Sequence, residues 1–289
     1  MSPFERTKIL GSCDWQARYL SQLLLRSLRQ HWPEYLYEAL GLGVFMLAAC
    51  LCTALLEHPA SAVHAWIGNA SVRRALLGLG MGLTATGIVY SPWGQRSGAH
   101  INPAVTLAFL RLGKIAPWDA AFYIPAQFAG GALGVLLSFA ILPHEMADPA
   151  VRFAVTVPGK HGATGALVTE LIISFVLMTV VLVLGSVEKW ASFAGVATGA
   201  LVAVYVFVAA PLSGFGMNPA RTTGSAVVAH TWTAWWIYAF APPFAMLLAA
   251  ELHRRVRGVH AMACAKVHHS SRLSCIFCGF EPKPLEVKP

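Results

Sequence analysis

The chain has 289 residues, 56% of them hydrophobic and only 12% charged, with a formal net charge of +8. Soluble globular domains carry about 25% charged residues, so this balance excludes an ordinary soluble protein and implies a chain that crosses a membrane several times; the mean hydropathy of +0.59 agrees. There is no phosphate-binding G-x-x-x-x-G-K-[ST], no G-x-S-x-G and no H-E-x-x-H, and His144-Glu145 lacks the second His, so neither an enzyme nor a cofactor is expected.

Residues 1–33 are basic. Trp15, Tyr19, Leu23, Leu24, Leu28 and Trp32 recur at helical spacing with Arg18, Arg26 and Arg29 between them, which predicts a helix lying on the membrane face or a partly ordered tail. The first long apolar run starts only after residue 33, so no cleavable leader is expected. The first span is predicted at about 35–56, followed by a loop over 57–72. A second span over 74–90 carries Gly78, Gly80, Gly82 and Gly87, small residues that allow helices to approach closely. A turn over 91–96 leads into Ser97-Gly98-Ala99-His100-Ile101-Asn102-Pro103-Ala104-Val105-Thr106. A third span is predicted at 117–142 and a polar loop at 143–163. The fourth span covers 164–185, and the fifth covers 193–210, stopped by Pro211. Ser213-Gly214-Phe215-Gly216-Met217-Asn218-Pro219-Ala220-Arg221-Thr222 follows, then a sixth span at 234–252 and a basic tail bearing Cys and His.

The Asn-Pro-Ala stretch thus occurs twice, 116 positions apart. Asn is a good helix N-cap and Pro fits the first helical position, so each copy predicts a short helix, over 102–112 and 218–228. A bilayer crossing takes about 20 residues, so these are half-helices. The fold class is therefore an all-α membrane protein: six transmembrane helices plus two half-helices. The channel domain is expected over 34–256, in repeats of about 34–142 and 164–256. The segments 1–33 and 257–289 lie outside it. Three spans is an odd number, so the second repeat must be inserted upside down relative to the first. That inverted plan places a binding or conduction site near the bilayer midplane. With both termini on the cytoplasmic side of the cell membrane, sixteen of the 21 Lys and Arg fall inside, as the positive-inside rule requires; Arg73, Arg74, Arg152, Lys160 and Arg221 fall outside.

Irregular backbone at membrane depth must be buried in protein or line a wet cavity. The carbonyls of Gly98, Ala99, His100, Ile101, Gly214, Gly216 and Met217 are predicted to form a ladder of acceptors, and the Asn102 and Asn218 amides to donate where the two loops meet. Two helix N-termini facing one point repel cations. Arg221 at membrane depth is a functional candidate by default, with a structural salt bridge as the alternative. Glu38 and Glu170 occupy matching places in the two repeats and are predicted to accept loop N–H groups. Proton relay is the alternative for them, and an ion-coupled transporter is the corresponding alternative function. Gln127 is assigned a similar supporting part. In the tail, Cys275-Ile276-Phe277-Cys278 has zinc-ligand spacing. With Cys264 and His268 it is a weak metal candidate, against a reduced flexible tail. Cys13, Cys50 and Cys52 are read as unpaired thiols.

These two loops resemble the signature loops of the aquaporin, or major intrinsic protein, family over residues 34–256. The resemblance implies a homotetramer in the lipid bilayer with one pore per subunit. It implies water as the expected principal permeant, with glycerol, urea, ammonia and peroxide as alternatives; protons and ions are excluded, and nucleic acid is not a partner. It assigns the Asn102-Pro103-Ala104 and Asn218-Pro219-Ala220 motifs to the pore and Arg221, Phe215, Val206 and Met81 to the selectivity filter. Gly82 is the alternative to Met81, because the loop after it is one residue longer than the common pattern. Val206 stands where water-selective members usually have His. Thr222 stands where glycerol-conducting members usually have Asp. Ala226 and Tyr238 fit the water-channel pattern, and Ala239 replaces an expected Trp.

Overall fold

The computed structural model describes residues 3–269 and 273–281, with side chains from Leu20 onward except that of Val259. Helix is the only regular secondary structure among the described residues. In chain order the helices are α1 (Pro3–Glu57), α2 (Ala62–Trp66), α3 (Ala70–Tyr90), α4 (Pro92–Ser97), α5 (Pro103–Arg111), α6 (Pro117–Ile141), α7 (Pro143–Ala147), α8 (Gly162–Gly185), α9 (Glu188–Ala191), α10 (Ala194–Ser213), α11 (Pro219–Ala229) and α12 (Trp235–Arg257). Six of them, α1, α3, α6, α8, α10 and α12, are long and apolar enough to cross a membrane. The half-helices α5 and α11 each follow the second span of their repeat.

Three sequence expectations need correction. The N-terminal segment is not a separate surface helix: α1 runs unbroken through Pro33 into the first span. Periodicity alone does not distinguish a helix lying flat from one standing up. Here the stem is pinned, because the Tyr35 hydroxyl donates to buried Asp119 Oδ1 at 2.7 Å and His31 Nδ1 lies 2.7 Å from the same oxygen. Side chains of Trp15, Tyr19 and Cys13 lie outside the described residues. Pro211 does not stop α10, which continues to Ser213 and ends at Gly214 in the left-handed conformation (φ 78°); proline is tolerated in membrane helices where neighbours satisfy the freed carbonyl. The tail is not free of the membrane-spanning bundle either. Met262, Ala265, Ile276 and Phe277 pack into the main core.

The spans meet across small residues. A Cβ placed on Gly78 would lie 2.5 Å from the Ala203 carbonyl oxygen and one on Gly82 2.5 Å from that of Gly199, so α3 and α10 touch backbone to backbone. Gly134 makes the same contact with Gly43 between α6 and α1. Gly80 and Gly87, predicted to share this role, do not: a Cβ on Gly80 meets only Cys52 Sγ at 3.6 Å, and one on Gly87 meets nothing. Overfilling a packed contact costs about 1–3 kcal/mol, and backbone cannot move aside. Gly82→Val is therefore expected to lower the yield of monodisperse protein and its melting temperature in detergent, while Gly80→Val leaves both near wild type. Equal behaviour of the two variants would dismiss this account of the α3–α10 contact. The outer faces carry large exposed apolar side chains such as Leu83, Leu137, Ile172, Phe240 and Phe244, as a lipid-facing or subunit-facing surface requires.

Candidate functional site: a cavity between two opposed half-helices

Each pore loop is built the same way. The chain leaves a helix through a left-handed glycine (Gly98 φ 92°, Gly214 φ 78°). It passes through further positive-φ residues, Ala99 and Ile101 in one loop and Phe215 and Met217 in the other, and enters α5 or α11 through an asparagine cap. Non-glycine residues adopt this conformation only when surroundings hold them there. Here a buried carboxylate does so. Glu38 accepts from Ser97 Oγ (2.8 Å), His100 N (3.0 Å), Ile101 N (2.6 Å) and Gln127 Nε2 (2.7 Å). Glu170 accepts from Ser213 Oγ (2.7 Å), Gly216 N (2.8 Å) and Met217 N (2.6 Å). All these partners are donors, so each ionised carboxylate is satisfied as an acceptor. With the N–H groups turned to the carboxylates, the carbonyls face the other way. Those of Ala99, His100, Gly214, Phe215 and Gly216 have no hydrogen-bond partner among the described residues.

The two loops touch at their tips. Asn102 Oδ1 caps α5 by accepting from Ala104 N, and its Nδ2 donates to the Met217 carbonyl at 2.9 Å. Asn218 Oδ1 caps α11 by accepting from Ala220 N and Arg221 N, and its Nδ2 donates to the Ile101 carbonyl at 2.7 Å. Each side-chain amide has two N–H groups and uses one on the opposite loop. The other is available to a molecule beside it. Both asparagines line one cavity of about 90 Å³, together with Ala99, His100, Ile101, Gly216 and Met217. A water needs about 10–15 Å³ of such space, so several fit in file. Pro103, Pro219, Ala104 and Ala220 are buried behind the tips as first-turn residues of the half-helices.

A second, smaller cavity continues beyond Phe215 and Arg221, which border both. Met81, Val206, Phe215 and Arg221, the residues assigned to the filter, all line it, with Phe45, Ala49, Leu77 and Ala154. Gly82 is turned into α10 and lines neither cavity, so of the two neighbours Met81 is the one that faces it. Arg221 is 8% exposed and its guanidinium donates to Thr156 Oγ1.

These features invite comparison with known proteins. The family model described as major intrinsic protein matches residues 25–253. The chain belongs to the major intrinsic protein family. A NIP-type aquaporin of Nicotiana alata is 37% identical over 182 residues, 61% of this chain and 63% of that relative, so the chain spans less than two thirds of it. Aquaporin NIP2-3 of Zea mays is 33% identical over 230 residues, covering 78% of this chain and 73% of the relative. The solved structure of the aquaglyceroporin from Plasmodium falciparum superposes with a TM-score of 0.65 at 22% identity, over 80% of this chain and 99% of that one; it shares the fold. As a member of this family the chain is a multi-pass membrane protein and not an enzyme.

Within that family frame, two supports escaped the sequence. The Tyr123 hydroxyl donates to the Ser97 carbonyl at 2.7 Å and the Tyr238 hydroxyl to the Ser213 carbonyl at 2.6 Å. These are symmetry mates that pin the two loop entrances. Aligning the halves on their Asn-Pro-Ala motifs sets Tyr123 opposite Ala239, one residue from Tyr238, so the pair shows only when a one-residue shift is allowed. Thr156, the anchor of Arg221, lies in the connecting segment, which has no counterpart in the other half and so no internal signal.

The Cys/His group is also corrected. His268 turns away from the cysteines and its ring lies against Tyr90, centroids 4.8 Å apart. Its neighbour His269 faces them instead, and the ligating atoms of Cys264, His269, Cys275 and Cys278 all lie within 4.8 Å of one another. Cys50 and Cys52 are free thiols in α1.

Proposed function

We propose that the chain is a passive pore for water and other small neutral solutes that excludes protons and ions, with both termini in the cytoplasm of a cell whose membrane it spans, and that it works as a homotetramer with one pore per subunit. The observation that carries this reading is the reciprocal tip contact of the two half-helices, Asn102 to Met217 O and Asn218 to Ile101 O, beside a cavity lined by both amides. A water at that point accepts from the remaining amide N–H groups, which turns its own protons outward along the file. Neighbouring waters are then oriented in opposite senses on the two sides, and a proton cannot hop through. The N-termini of α5 and α11 each bring roughly half a positive elementary charge to the same place, which repels cations. Arg221 adds a full positive charge farther along. The free loop carbonyls accept the protons that the waters turn away.

The donor-only surroundings of Glu38 and Glu170 support holding rather than proton relay, and so weigh against an ion-coupled transporter. One observation favours a permeant wider than water alone. The filter cavity is walled mostly by apolar side chains, Met81, Val206, Phe215, Leu77 and Ala49, with Arg221, Thr53 and Gly214 as its polar lining, a lining that accepts the carbon skeleton of glycerol or urea. The test is stopped-flow permeability of proteoliposomes to water, glycerol, urea and ammonia on one preparation. Faster osmotic shrinkage than empty vesicles, without proton leak, is the expected result; equal rates with folded protein would reject the channel reading. In the same assay Arg221→Val is expected to raise glycerol and urea flux relative to water and to admit cations, because it removes the charge and opens space. Unchanged flux ratios would show that Arg221 does not border the path.

A further inference from the structure

Residues 262–269 and 273–280 pack together under the first pore loop as a small knot. Cys264 and Cys275 bring their Sγ atoms to 3.2 Å, and His269 Nε2 lies 3.2 Å from Cys278 Sγ. The turn is closed by Cys275 N to the Phe280 carbonyl (2.9 Å) and Gly279 N to the Cys275 carbonyl (3.0 Å). Cys264 and Cys275 are buried. Zn²⁺ with bonds of about 2.3 Å to sulfur and 2.0–2.1 Å to nitrogen gives tetrahedral edges of roughly 3.5–3.8 Å. The present spacings bracket that range. Three thiolates and one imidazole suit zinc over harder cations.

The knot is also joined to the pore. Val267 N donates to the Gly98 carbonyl at 3.1 Å, the symmetry mate of the Gly214 carbonyl, which is free. His100 Nε2 donates to the Ala265 carbonyl at 2.6 Å, since a carbonyl can only accept. The Phe277 ring stacks on the His100 ring, centroids 5.7 Å apart and 12° between planes. Val267 itself lines the cavity that holds both asparagines.

We propose that Cys264, His269, Cys275 and Cys278 bind one Zn²⁺ ion, and that the metal holds the tail against the Gly98–Ile101 loop, where Val267 narrows that mouth of the pore. The metal site stands on its own residues; the narrowing rests on the channel reading above. Loss of the metal frees the tail and with it the Gly98 carbonyl.

The test uses the full chain, purified in detergent under reducing conditions with Zn²⁺ supplied and then dialysed, with metal content measured by elemental mass analysis. One zinc per chain is expected, lost in Cys275→Ser and kept in His268→Ala. Metal-free wild type, a different metal in its place, or a Cys264–Cys275 disulfide in alkylated protein would overturn the site. In proteoliposomes, osmotic permeability is expected to rise severalfold on chelation and in Cys275→Ser. Because that variant can misfold, Phe277→Ala serves beside it: it keeps all four ligands and the zinc but loses the stacking on His100, and is expected to raise permeability too. Zinc bound with permeability unchanged in every case would overturn the narrowing. No permeability in wild type or any variant would overturn the channel reading and the narrowing together, while the zinc stoichiometry would still uphold the site.

Discussion

Glu170→Ala is expected to give a protein that is poorly folded and conducts nothing measurable, although residue 170 lines neither cavity. The carboxylate is fully buried and takes three donors, Ser213 Oγ, Gly216 N and Met217 N. Removing it orphans all three, at about 1–3 kcal/mol for each buried unsatisfied group. The sum approaches the whole stability of a typical domain, about 5–15 kcal/mol. The loss also falls on a loop whose Phe215 and Met217 sit at φ 57° and 53°, with only Ser213 Oγ on Phe215 N and Asn102 Nδ2 on the Met217 carbonyl left to hold them. Glu170→Gln is expected to be milder. Its amide oxygen still accepts from Ser213 and Gly216, and only Met217 N is left facing a donor. The order wild type, Gln, Ala should appear both in melting temperature and in osmotic permeability of proteoliposomes, and Glu38 should behave alike in the first loop. Wild-type permeability in Glu170→Ala would end the holding role.

That carboxylate pair was legible because the repeat is written twice. Glu38 and Glu170 stand at matching places, and each faces a loop of the same length entering an Asn-Pro helix, so sequence symmetry predicts spatial symmetry. The six spans were legible because lipid demands long apolar runs. What symmetry and hydropathy do not encode was not legible. Thr156 reaches Arg221 only because the connecting segment takes three consecutive left-handed residues, Arg152, Phe153 and Ala154, with no glycine to announce the turn. Choosing between His268 and His269 needs the direction of a side chain in an irregular segment, and the contact with Tyr90 decides it against the first. Glycine spacing in α3 gave candidates but not the face. Only Gly78 and Gly82, one turn apart, meet α10. The continuity of α1 through Pro33 depends on Asp119, a residue on another helix that holds Tyr35 and His31.

The filter offers the second large effect. Val206→His is expected to cut glycerol and urea flux by about tenfold or more, equivalent to about 1.4 kcal/mol on the barrier, while water flux changes little. Val206 is buried on α10 and borders the cavity with Met81, Phe215 and Arg221. An imidazole there is longer than an isopropyl group and projects a polar edge into the space between Phe215 and the guanidinium. Two effects then act together. The remaining width suits a single water but not a three-carbon chain, and the apolar wall that covers the carbon side of a polyol is replaced by a group that competes for its hydroxyls. Water loses nothing by this change, since it gains a partner as it gives up space. The Arg221 guanidinium already donates to Thr156 Oγ1, so it keeps its place. The check is the ratio of glycerol to water permeability in wild type and variant, with folded protein in both. A ratio that stays constant would mean that solutes cross elsewhere than between α3, α10 and the second loop, and the assignment of all four filter residues would fall with it.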